Sequence, residues 1–131
     1  ELETPPTLCE RARFARTSLS VLRDYRCASF AGLITDPGSS AMGRTADPES
    51  SALHRQVALF ARWLPWVPFQ GTCLYRAFFL RRLLSERGLV ADWVFGVTTW
   101  PFSAHCWLQV EDLLLDDDVD RVRAYRPIMV V

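Results

Sequence analysis

The hydrophobic period of this chain changes at Gly88. Before it, residues 74–87 carry Leu74, Ala77, Phe78, Leu80 and Leu84 around most of a helical circumference, the pattern of a buried central helix. After it, residues 91–98 and 104–110 alternate with a period of two, as strands do, around a turn at residues 100–103. A chain that is helical up to one glycine and alternating beyond it must pack early helices on a late sheet. The expected class is α+β, with N-terminal helices followed by an antiparallel sheet.

Further segments fill in this plan. Residues 1–7 contain Pro5-Pro6 and read as an extended lead-in. Residues 8–33 predict one long amphipathic helix, with Ala12, Ala15, Leu19, Leu22 and Tyr25 as its apolar stripe and Arg11, Arg13, Arg16 and Arg23 on the wet side. Residues 36–51, rich in Gly, Pro, Ser and Asp, predict a long mobile loop. Residues 52–63 predict a second helix, with His54 partly exposed and structural at its start. Its prolines, Pro65 and Pro68, then force an extended path carrying Trp63, Trp66 and Phe69, read as core with a peptide-lining wall as the alternative. Glu111-Asp112 predicts a tight turn, residues 113–115 a third strand running into Asp116-Asp117-Asp118, and residues 126–131 a closing strand. The whole chain, 1–131, reads as one domain: helix and loop over 1–51, and the functional core over 52–131.

Charge and cysteine content narrow the function. Fifteen cations balance fifteen anions, which gives no basic surface for nucleic acid. Every cation is an arginine, so lysine Schiff-base and lysine general-base chemistry are excluded. The four cysteines show no CxxC pair and have only two histidines for company, so neither a metal site nor a disulfide framework is expected. They read as reduced thiols, and the compartment as cytoplasmic. No apolar run approaches the ~20 residues of a membrane span, and no cofactor is implied.

One cysteine stands apart. Thr72 is a good N-cap residue, which puts Cys73 in the first turn of the central helix. Unpaired N–H groups and the positive end of the helix dipole favour a thiolate there, and could also stabilise an oxyanion. His105 lies on a later strand, and acids end the strand after that. A nucleophile at a helix start, a base on a facing strand and a carboxylate on its neighbour make the arrangement of a Cys-His-Asp triad. Alternation separates Asp117 from Asp116 and Asp118, and Asp112 lies in a turn; the residues alone leave the choice among these acids open. Gln70 is a candidate oxyanion donor. Arg76 is a candidate partner for a buried carboxylate or a substrate group, and Trp107, on the His105 face of its strand, for substrate contact. From the residues alone the reading is thiol-dependent acyl transfer to water or to an amine, with a non-catalytic peptide-binding module as the remaining option.

Several blocks carry a resemblance: Cys73-Leu74-Tyr75-Arg76-Ala77, Leu83-Leu84-Ser85-Glu86-Arg87-Gly88, Phe95-Gly96-Val97, and Phe102 to Val110 with Ala104-His105-Cys106-Trp107 at its heart. Together, over residues 52–131, the chain resembles the transglutaminase-like leader peptidases of bacterial lasso-peptide biosynthesis. The resemblance implies a papain-like core and hydrolysis of one peptide bond in a ribosomally made precursor. It makes Cys73 the nucleophile, His105 the base and, twelve residues on, Asp117 the acid. It also implies a stand-alone peptidase working with a separate leader-recognition protein and a macrocyclase. The chain departs from the family pattern at Ala77 (Ser), Cys106 (Ala), Gln109 (Glu) and Asp116 (Asn).

Overall fold

The computed structural model describes residues 4–35, 44–67 and 72–131. Helix α1 (Leu8–Cys27) begins at a reciprocal cap: Thr7 accepts from the Glu10 N–H, and the Glu10 carboxylate accepts from the Thr7 N–H. Arg55 grips the same carboxylate through Nε at 2.7 Å, which ties α1 to α3 (Ser51–Trp63). Arg55 hydrogen bonding holds Glu10 down at about 2, against the cost of burial.

The long first helix expected from the sequence is broken. Ala28 is extended, and Ser29 caps a separate short helix, α2 (Phe30–Ile34), by accepting from the Gly32 N–H. The expected stripe is also displaced. Leu19 is exposed, whereas Glu10, Thr17 and Val21 are buried. Polar contacts decide this rotation. The Thr17 hydroxyl donates to Glu86 at 2.8 Å and Arg82 pairs with Asp24 at 3.2 Å, so α1 meets α4 (Cys73–Ser85) partly through hydrogen bonds. Apolar periodicity cannot register such an interface.

Helix α4 is the central element. Tyr75, Ala77, Phe78, Phe79, Leu80, Leu83 and Leu84 are all buried, with α1 and α3 on one side and the sheet on the other. Gly88, at φ 69°, reverses the chain after α4 in a conformation that costs a glycine little. A two-residue strand, β2 (Leu89–Val90), then pairs in parallel with β1 (Arg44–Thr45), a pairing that falls within the expected loop and that no sequence pattern announced. Residues 36–43 of that loop lie outside the described residues, as does Phe69. Of the two tryptophans read as core, Trp63 packs edge-on against Phe14 at 5.0 Å, but Trp66 is 85% exposed.

The main sheet has strand order β5-β4-β3-β6 and is antiparallel throughout. It comprises β3 (Asp92–Thr99), β4 (Phe102–Val110), β5 (Leu113–Leu114) and β6 (Arg126–Val130). Strand β5 is one residue shorter than expected, and a one-turn helix, α5 (Val119–Val122), capped by the Asp118 side chain, follows the acids. The closing strand β6 pairs with β3. Pro127, which has no N–H, is tolerated there because β6 is an edge. Helices first and an antiparallel sheet after make the α+β class expected from the sequence.

On the sheet face away from α4, Gly96 sits directly opposite His105. A Cβ at this glycine would lie 3.0 Å from both the Trp107 ring and the Tyr125 Cβ. The space left by the missing side chain is filled by the two rings that flank His105. Gly96→Val is expected to destabilise the fold by about 1–3 kcal/mol through overpacking and to disturb the His105 ring. Urea denaturation and the His105 proton resonances check both effects.

Candidate active site

Thr72 caps α4: its hydroxyl accepts from the Tyr75 N–H at 3.2 Å and its carbonyl from the Arg76 N–H at 3.2 Å. The Cys73 and Leu74 N–H groups have no partner inside the helix and face outwards at its positive end. Tyr25, from α1, reaches the Thr72 hydroxyl at 3.2 Å and so supports the cap.

The sheet meets this helix end along an open stretch of β4. Leu108 points both backbone groups towards the β5 side: its N–H donates to the Asp116 carboxylate at 2.8 Å and its C=O accepts from Leu115 at 3.0 Å. Backbone groups two residues apart on a strand point the same way, so the Cys106 N–H also faces this edge. Strand β5 pairs with Gln109 and Val110, and among the described residues no strand pairs with this edge at Cys106. Cys73 comes close enough to this edge for the Cys106 thiol, the Cys106 backbone and His105 all to favour its thiolate. The expected alternation holds, with Cys106 turned to the core and His105 to the other face. Both nevertheless act on Cys73.

Electrostatics follow from this placement. Hydrogen bonding from the Cys106 thiol, then from its backbone and from His105, outweighs partial burial and draws the Cys73 thiol down to about 5. Cys106 is pushed the other way, by the bond it makes to Cys73 and by its own burial, and stays protonated.

His105 is held on its far side. Its Nε2 bonds the Asp117 carboxylate, and the Asp117 side chain is only 6% exposed. A carboxylate accepts, so Nε2 carries its proton and Nδ1 is left for the sulfur. The second Asp117 oxygen accepts from the Asp118 N–H at 2.8 Å and faces Arg121 at 3.5 Å. The ring lies between Tyr125, at 5.1 Å, and Trp107, at 6.1 Å.

The other expected residues fare differently. Asp112 is exposed in its turn, and Asp118 caps α5. Asp116 is turned away from His105; burial pushes its carboxyl up to about 6 although it accepts from Leu108. Arg76 donates to the Asp116 main-chain oxygen at 2.9 Å, so this guanidinium is directed to the protein. Trp107 is 1% exposed, with its indole N–H on Gln109 at 2.8 Å. That burial corrects the expectation of substrate contact: Trp107 packs against His105 instead. Gln70 lies outside the described residues. Tyr25 and Tyr125 were not anticipated, because nothing in local spacing brings residue 25 to a helix start at 72 or residue 125 to His105.

The sequence profile of the transglutaminase-like superfamily matches residues 15–130. The chain belongs to the transglutaminase-like superfamily. Within it, the chain is similar to the microcin J25-processing protein McjB of Escherichia coli, at 37% identity over 49 residues. That stretch is 37% of this chain and 24% of the relative. No solved structure matches. Among the described residues of this transglutaminase-like fold, no group of three or more His, Cys, Asp or Glu could hold a metal ion, and no helix is long and apolar enough to cross a membrane.

Two outcomes are expected here. Iodoacetamide should alkylate Cys73 ahead of Cys9, Cys27 and Cys106, with a rate that climbs through pH ~5 as the thiolate forms; mass mapping of the labelled peptides reads this. Asp116 has a folded pKa above its unfolded value, so its charge costs stability only as pH rises from about 4 to 6 and in full above that. Asp116→Asn keeps an acceptor for Leu108 and should therefore stabilise by about 1–3 kcal/mol at pH 8, with the gain gone near pH 4. Urea titrations at the two pH values check it.

Proposed function

We propose that this protein is a cysteine peptidase that removes the leader from a ribosomally made lasso-peptide precursor, with Cys73 as nucleophile, His105 as acid and base and Asp117 as the group that orients His105. The observation that carries the reading is the convergence of three residues from three separate segments on one strand edge. The superfamily match and the similarity to a microcin-processing protein support it.

The residues supply each step. The Cys73 thiolate attacks the scissile carbonyl carbon, and the oxygen that becomes negative is met by the first-turn N–H groups of Cys73 and Leu74. His105, protonated at Nδ1, gives that proton to the departing amine as the C–N bond breaks. The acyl group is now a thioester on Cys73. Water enters, His105 takes one of its protons, and the hydroxide adds to the thioester carbon. Collapse releases the leader carboxylate and restores the thiolate. Asp117 keeps the proton on Nε2 throughout and supports the imidazolium. No cofactor enters these steps. The partners in this reading are the precursor peptide, a separate leader-recognition protein and a macrocyclase that uses the freed amine, in a bacterial cytoplasm.

Incubation with a precursor peptide, with and without the leader-recognition protein, tests the proposal by mass spectrometry. Two fragments that sum to precursor plus one water are expected. A product in which an amine has replaced the water would make the protein an acyltransferase, and an unchanged precursor under both conditions would leave a binding module. Cys73→Ala and His105→Ala are expected to abolish turnover while circular dichroism stays native. Asp117→Asn should retain more activity than either, at about 10²–10⁴-fold below the parent protein; full activity would remove Asp117 from its role.

A further inference from the structure

The residue before the proposed acid is clamped from two sides. The Asp116 carboxylate accepts from Leu108 on β4 at 2.8 Å, and the Asp116 carbonyl accepts from Arg76 on α4 at 2.9 Å. Arg76 is one turn into the helix that begins with Cys73. The next residue, Asp117, holds His105. Nucleophile helix, base strand and acid turn thus meet at one peptide unit. Regular structure does little to fix the turn: β5 ends at Leu114, and α5 is a single helical turn, so side-chain contacts carry the load.

We propose that Arg76 is a positioning residue, which braces the Asp116-Asp117 turn against the Cys73 helix and so holds His105 in register with the sulfur. The inference rests on the peptidase reading for its kinetic readout only. A guanidinium on a main-chain oxygen fixes where the turn lies without adding charge to His105. Loss of the brace lets Asp117 drift, and small errors of alignment in a triad lower the rate of the chemical step without weakening substrate binding. This differs from a substrate-binding arginine, whose loss would raise KM.

The test pairs Arg76→Met, which keeps the aliphatic stem and loses the donors, with Arg76→Lys, which keeps a donor, each alone and with Asp117→Asn. On a leader-containing peptide, R76M should lower kcat about tenfold with KM changed less than twofold, and R76K should recover to within about threefold of the parent protein. In the Asp117→Asn background R76M should cost less than a further twofold, because the brace acts through Asp117. An equal loss in both backgrounds, or a rise in KM with kcat unchanged, overturns the proposal. The rate of Cys73 alkylation near pH 6 is read on the same variants. It should fall severalfold in R76M and be restored in R76K; a parent-like rate in R76M overturns the brace. That second readout needs no peptide, so a failure of all cleavage would count against the peptidase reading and leave the brace decided by alkylation.

Discussion

The site depends on a negative sulfur being favourable at the open edge of β4. Two independent sources of positive potential meet there. One is the start of α4, where the first-turn N–H groups point outwards. The other is the strand edge itself, where the Cys106 N–H would be an unpaired donor if nothing covered it. The Cys106 backbone favours the Cys73 thiolate, so one sulfur answers both. The shortness of β5 matters here: three more residues of pairing would bring residue 117 opposite Cys106 and close this edge.

Cys106 adds a contribution that an alanine could not. Its buried thiol favours the Cys73 thiolate and is itself pushed up by Cys73 and by burial. His105 shares the work of holding the thiolate. Its own orientation comes from the far side, where Asp117 is buried and fixed by the Asp118 N–H and Arg121. Trp107 and Tyr125 fill the faces of the ring, and Gly96 leaves them room to do so. Asp116, by contrast, carries a charge into a buried place at some cost, with Arg76 and Leu108 as its compensation.

Much of this was legible in the chain. The apolar circumference of residues 74–87 marked α4, and the alternation after Gly88 marked β3 and β4. Alternation also turned Asp117 and Asp116 in opposite directions, as they are found: one meets a ring and the other a backbone N–H. What the pattern misread is instructive. Residues 8–33 looked like one helix with an apolar stripe, yet the chain breaks at Ala28, and α1 docks through Glu10, Thr17 and Asp24. Hydrophobic periodicity reports apolar burial and is blind to an interface closed by hydrogen bonds and ion pairs. Trp66 and Trp107 were misplaced for a related reason, since aromatic identity does not say which neighbour arrives to cover the ring.

The sequence by itself determined the helix start under Cys73, the strand alternation that gives His105 and Cys106 opposite faces, and the class of chemistry these residues allow. These are local properties, set by capping and by periods of 3.6 and 2 along neighbouring residues. Only the tertiary structure decided that both of those faces serve one sulfur, that Tyr25 supports its cap and that Arg76 turns inwards to the acid turn. Each of these contacts joins residues far apart in the chain. They arise from where β5 stops and how α1 and α4 pack, which no single stretch encodes.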